Sequence, residues 1–227
     1  MIETRNGVWV RRRGVSAALL VVALWITPSV WAQFTAGQDY LLINPPQPTD
    51  SGKKVEMIEF FWYGCPHCNA LQPALHKWLA KKPSDVLYRR VPAVLGNSWV
   101  PLTQAFYTFE ALGLTDNLHD DVFAAIHKDK IKLYDPKTLF DWVEKRGVDR
   151  KKFMDTYNSF GVRSRVQRAI EMSRDYDISG TPAIVIDGRY LTAPYLGLKR
   201  GDSISYDRYF KIVDYVIDLA RKARSGK

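Results

Sequence analysis

The chain has two cysteines, Cys65 and Cys68, set two residues apart in the run Cys65-Pro66-His67-Cys68. Sulfurs at this spacing can close a small disulfide, open it, and exchange it with another dithiol. The thiolate is the nucleophile in such exchange, so what matters is what would ionise one of the two. Val55 to Tyr63 is nearly continuous in apolar residues and reads as a central strand covered on both faces. Gly64 ends it. From Pro66 onward, Ala70, Leu71, Ala74, Leu75, Trp78 and Leu79 recur at three- and four-residue spacing, which reads as a helix, with Pro73 expected to kink it. Cys65 therefore falls at a helix N-terminus, where unpaired N–H groups and the positive end of the macrodipole stabilise an anion. Its pKa is expected to be low and its sulfur exposed and attacking. Cys68, one turn on, is the more buried resolving partner. Pro66 suits the first helical position, and a protonated His67 adds a charge or a donor. Stabilising the thiolate favours dithiol over disulfide, so the pair is expected to oxidise its clients.

Other uses of the pair fit less well. Zinc would need two further ligands from His67, His76, His119 and His127, which lack the paired spacing of such sites. Covalent haem needs His directly after the second cysteine, and that position is Asn69. An inert bridge across so short a loop constrains the unfolded chain by only about 2 kcal/mol or less. His76, on the active-site helix, reads as packed or solvent-exposed, and His119 and His127, in the insert, read as surface residues. Trp62, Tyr63, Trp78, Phe106, Phe109 and Phe123 read as core.

The N-terminus reads as an export signal. Arg5, Arg11, Arg12 and Arg13 precede an apolar run, and no charge falls between Arg13 and Asp39. Val30-Trp31-Ala32 offers small residues at the minus-three and minus-one positions, so residues 1–32 are expected to be a signal peptide cleaved after Ala32. The uninterrupted run is short for a spanning helix, and Pro28 breaks its outer end. Removing 1–32 takes four Arg and one Glu, lowering the net charge from +9 to +6. The basic residues are scattered, with a cluster only at the C-terminal tail, which argues against a nucleic-acid partner. No metal or organic cofactor is expected beyond the Cys65–Cys68 disulfide.

Further along, Val86 to Val91 reads as a strand, and helix-sized segments begin near Leu102, Asp116, Asp135, Asp149 and Val162. Strand character returns in Ala183 to Ile186, turns at Asp187-Gly188, a strong hairpin signal, and resumes at Arg189 to Leu191. A last helix runs from about Tyr206 to Arg221. Strands on both sides of a helical block imply an α/β domain formed by residues 33–97 and 176–227, with 98–175 inserted. Phe34 to Pro48 reads as a turn-rich leader.

Glu59-Phe60-Phe61, Cys65-Pro66-His67-Cys68, the helical insert and Thr181-Pro182 before a strand together resemble the DsbA family across essentially the whole mature chain. Thioredoxins typically carry Gly-Pro between the cysteines and protein disulfide isomerases Gly-His. The resemblance implies a thioredoxin-like fold with an inserted all-helical domain and a periplasmic disulfide oxidase. It implies that Thr181-Pro182 is a cis peptide beside the sulfurs, and that the Thr181 backbone pairs with an extended client segment. It further implies that Glu59 is a buried carboxylate assisting proton transfer at Cys68, and that a membrane quinone-coupled partner of the DsbB type reoxidises the enzyme. Many DsbA proteins have Val where this chain has Thr181, whose hydroxyl near the sulfurs would tune the redox potential. The competing expectations are an isomerase or reductase on the same fold, and a binding module or chaperone whose cysteines are incidental. A monomer is expected.

Overall fold

The apolar run ahead of the cysteines lies at the heart of a five-stranded sheet in a computed structural model that describes residues 34–199 and 201–226. The expected signal peptide, residues 1–32, and its cleavage site lie outside the described residues. The strands are β1 (Leu41–Leu42), β2 (Val55–Phe61), β3 (Val86–Pro92), β4 (Ala183–Ile186) and β5 (Tyr190–Thr192), in spatial order β1-β5-β4-β2-β3. β2 runs parallel to β3 and antiparallel to β4. All seven of its residues are buried, including Glu56 and Glu59. Each of these carboxylates faces an arginine of β3, with Arg89 Nε 3.1 Å from Glu56 and Arg90 Nε 3.4 Å from Glu59.

The Asp187-Gly188 hairpin forms as the dipeptide demands. Both residues have positive φ, 55° and 63°, which is the twisted two-residue turn that matches flanking strands. Gly188 is also fixed by crowding, because a Cβ there would lie 2.1 Å from the Gln47 carbonyl oxygen. The strand β1 was not foreseen. Its two leucines pair with Leu191 and Tyr190 inside the stretch read as a leader, and two residues are too few to show a period.

Helix α1 (Pro66–Leu79) and the C-terminal helix α7 (Tyr206–Arg224) share a core with one face of the sheet. Leu71, Leu75 and Trp78 meet Val213, Val216 and Ile217 over Met57, Ile184 and Ile186. Trp78 stacks on Phe210 and donates to Asp214 at 2.8 Å. Pro73 lies inside α1 without ending it.

Between β3 and β4 the chain forms a 3₁₀ turn (Asn97–Trp99) and helices α2 (Val100–Ala111), α3 (Thr115–His127), α4 (Pro136–Glu144), α5 (Arg150–Tyr157) and α6 (Phe160–Asp175). Asp135, Asp149 and Ser159 cap α4, α5 and α6 by accepting from the backbone N–H three residues on. The block shares one apolar core with the other sheet face, running from Ile58, Phe60 and Val185 through Phe106, Phe109 and Val143 to Phe153. Phe153 is fully buried against Phe109, Phe140 and Tyr157. Phe153→Ala is expected to cost about 3–5 kcal/mol. In urea it should lower the midpoint of a single transition followed by both fluorescence and circular dichroism. A separate early transition of the block would contradict the shared core.

Candidate active site

β2 ends at Phe61, and Trp62 to Gly64 form a turn closed by the Cys65 N–H donating to the Trp62 carbonyl at 3.0 Å. Gly64 is required by its neighbour, since a Cβ there would sit 2.4 Å from the Trp62 ring. That ring stacks on Trp99 with centroids 4.2 Å apart. Cys65 is the N-cap of α1 with extended backbone (φ −85°, ψ 118°), and Pro66 follows in the first turn. The first helical bond runs from the Asn69 N–H to the Cys65 carbonyl at 3.2 Å.

Both cysteines are free thiols here. Cys65 was expected to be exposed, but it keeps only 9% of its surface, while Cys68 keeps none. The β4 end of the sheet covers it: the Cys65 thiol donates to the Thr181 carbonyl at 3.3 Å, and the Thr181–Pro182 peptide bond is cis. The two sulfurs are strongly unequal. The Cys68 thiol, donating to Cys65, is the main influence lowering the Cys65 pKa to about 5. The Thr181 side chain and the backbone N–H groups of Cys68 and His67 add to it, against desolvation. Burial drives the Cys68 pKa far upward. His67 reaches the sulfur through its backbone, while its side chain is exposed.

Glu59 is fully buried, as the resemblance implied, and its carboxylate is met by polar partners. Strand alternation turns it toward Tyr88 and Arg90 of β3. Tyr88 donates a short hydrogen bond to one carboxylate oxygen, and Gln72 of α1 donates to the other at 3.3 Å. The same Gln72 amide reaches the Cys68 carbonyl at 3.3 Å, linking Glu59 to the active-site helix. Burial raises the Glu59 pKa, and Arg90, Tyr88 and Gln72 partly offset that. Two adjacent arginines, Arg89 and Arg90, in a strand were the available sign of buried carboxylate partners.

The surface reading of His119 is wrong. It is 3% exposed and lies 2.9 Å from the Tyr63 hydroxyl, because it falls on the apolar face of α3 with Phe123. His127, also read as surface, is half-buried and lies 2.8 Å from the Tyr63 carbonyl oxygen. His76 is exposed and pairs with Asp120 at 3.5 Å. Among the described residues no group of three or more His, Cys, Asp or Glu side chains could hold a metal ion.

A thiolate-forming cysteine at a helix N-terminus, a buried partner one turn on, and a cis-proline loop against both define a thioredoxin-like thiol–disulfide oxidoreductase with an inserted helical domain. The family described as a DSBA-like thioredoxin domain matches residues 85–206. The thiol:disulfide interchange protein DsbA of Bordetella parapertussis is 40% identical over 210 residues, covering 92% of this chain and 97% of that protein. The DsbA of Pseudomonas aeruginosa is 34% identical, covering 92% and 96%. Its crystal structure superposes with a TM-score of 0.77 over 85% of this chain and 97% of that one, at 36% identity. Reduced DsbA1 of Neisseria meningitidis gives a TM-score of 0.72 at 26% identity, over 86% and 100%. The chain belongs to the DsbA family.

With Cys65 ionised from about pH 5 in the folded dithiol, and an unfolded thiol keeping its proton to about 8.5, the unfolded chain binds one more proton between those values. Stability of the reduced protein from this group is therefore complete above the upper value and lost as pH falls through about 5. Thiolate absorbance near 240 nm should titrate with a midpoint near 5 and vanish in Cys65→Ser. The stability gap between reduced wild type and Cys65→Ser should widen as pH rises through the window. A midpoint near an ordinary thiol value would refute the site's electrostatics.

Proposed function

We propose that the protein donates its Cys65–Cys68 disulfide to reduced, unfolded proteins outside the cytoplasm. The observation that carries this reading is the inequality of the two sulfurs: Cys65 is held as a thiolate and Cys68 as a thiol. Such a dithiol is stabilised relative to the disulfide, so the oxidised enzyme releases free energy on giving its bridge away. Among the other readings, an isomerase or reductase would also use this pair but would rest in its reduced form.

A client thiolate attacks the Cys65 sulfur, the bond to Cys68 breaks, and Cys68 leaves with the electron pair. Cys68 takes up a proton, as its burial demands, while the client is held on Cys65 as a mixed disulfide. The client's second thiolate then attacks its own bonded sulfur, and Cys65 leaves as a thiolate. Two electrons pass from client to enzyme. Of the two protons on a client dithiol, one is matched by Cys68 and the other goes to solvent.

In this reading Cys65 and Cys68 are the catalytic groups. Pro66 sets the first turn of α1, and the backbone of His67 supplies a donor to the thiolate. Glu59, tied to the Cys68 carbonyl through Gln72, relays the proton that Cys68 requires. Thr181 and Pro182 bind the client, whose extended backbone pairs with Thr181. Residues 1–32 direct export to the periplasm and are removed after Ala32. The mature chain comprises a thioredoxin-like domain of residues 33–97 and 176–227 with 98–175 inserted, and it acts as a monomer. It needs no cofactor beyond its disulfide, and a membrane quinone-coupled partner of the DsbB type restores that.

Equilibration against a glutathione series tests the direction. The potential should lie well above the roughly −270 mV of thioredoxin. A value near thioredoxin's would make the protein a reductant. Cys65→Ser should abolish client oxidation, and Cys68→Ser should accumulate mixed disulfides visible on a non-reducing gel. Oxidation at the normal rate by Cys65→Ser would overturn the mechanism.

A further inference from the structure

Beside the Trp99 and Phe106 rings, helix α3 of the inserted block reaches the redox site with three polar side chains. His119 lies 2.9 Å from the Tyr63 hydroxyl, and His127 Nε2 lies 2.8 Å from the Tyr63 carbonyl oxygen. Between them in sequence, Asp120 pairs with His76 of α1. Helix α3 thus grips the chain just before Cys65 and again within the helix that follows it. The exposed ion pair contributes little by itself. The two histidine contacts differ from it, because both converge on a single residue that is 1% exposed and two positions before the attacking sulfur.

Tyr63 sits inside the turn that the Cys65 N–H closes onto Trp62. A buried backbone carbonyl needs a donor, and the carbonyl can only accept, so His127 carries its proton on Nε2. At its other end the Tyr63 ring enters an aromatic box of Phe61, Phe106, Phe123 and His119. Burial keeps the His119 ring neutral. It can therefore pair with a hydroxyl in that box without introducing a buried charge.

We infer that His119 and His127 are positioning residues for Cys65: by pinning Tyr63 at its hydroxyl and its carbonyl, they fix the turn that aims the sulfur at its donors. The Cys65 thiolate depends on several contacts made at once, to the Cys68 thiol, to the Thr181 side chain and to the backbone N–H groups of the first helical turn. Hydrogen bonds of this kind weaken steeply with misalignment, so slack in the preceding turn is felt at the thiolate. The inserted block thereby sets the redox poise of a site to which it contributes no reacting atom. The inference rests on Cys65 being the attacking thiolate.

His127→Ala and His127→Gln separate this role from packing, since Gln presents an N–H at nearly the reach of Nε2. Each variant is titrated by thiolate absorbance and equilibrated with glutathione, alongside wild type. His127→Ala should raise the Cys65 pKa by roughly 0.5–1 unit, the worth of about one neutral hydrogen bond. It should also shift the glutathione equilibrium about fivefold toward the disulfide, and His127→Gln should restore both values. If Ala lowers the melting temperature but leaves both redox readouts at the wild-type values, α3 is only a packing element and the inference falls. Equal shifts in Ala and Gln would also overturn it, because the N–H would then not be the cause. Should His127→Ala fail to fold, Tyr63→Phe, which removes the hydroxyl facing His119, decides the question by the same two readouts. A wild-type thiolate that itself titrates near an ordinary thiol value would instead defeat the reading of Cys65, a result distinct from failure of the variants.

Discussion

A sulfur anion in a nearly closed site persists only where enough donors converge on it to replace water, because removing a charge from water is expensive unless it is met on arrival. Cys65 meets that condition with neighbours along the chain, the first turn of α1 and the thiol of Cys68, and with the side chain of Thr181, more than one hundred residues away. The helix N-terminus supplies orphan N–H groups at no conformational cost, since the first turn of any helix leaves them unpaired. Thr181 arrives by sheet register. β4 lies antiparallel to β2 with Ala183 opposite Phe60, so the residues just before Ala183 lie beyond the end of β2, where the chain turns into Cys65.

The same register explains the charge beneath the site. Parallel pairing of β2 and β3 sets Glu59 opposite Arg90, and alternation brings Tyr88 to the same side. Buried ion pairs add little net stability, since desolvation consumes most of the attraction, so this cluster is a weak reason for the fold to hold together. Its consequence is chemical. A buried carboxylate with a raised pKa is tied through Gln72 to the backbone of Cys68, which suits the proton-carrying role proposed for it.

The inserted helices complete the site from outside. They bury one face of the sheet in a core continuous with Phe60 and Val185, and they reach the turn before Cys65 through polar contacts on α3. Trp62 and Trp99 stack where the insert begins, with the Trp62 ring lying over Gly64. Sheet, active-site helix and insert therefore meet at the three residues between β2 and Cys65.

By itself the amino-acid sequence determined whatever depends on near neighbours along the chain. The strand-to-helix handover at Cys65, the proline in the first turn, the Asp187-Gly188 hairpin, the Asp135 cap and the order of elements all follow from local period and turn chemistry. Family resemblance added the roles expected of Glu59 and of Thr181-Pro182, a dipeptide that local sequence marks only as a proline before a strand. Tertiary structure alone decided the partners. Tyr88, Arg90 and Gln72 surround Glu59 because of strand register and helix packing, and His119 is buried because α3 turns its apolar face to Phe61 and Phe106. Cys65 is nearly closed off because a loop from the far end of the chain lies against it. Local sequence dictates which hydrogen-bonding and apolar groups a segment presents. Which groups meet is set by long-range packing, and no short window of residues contains it.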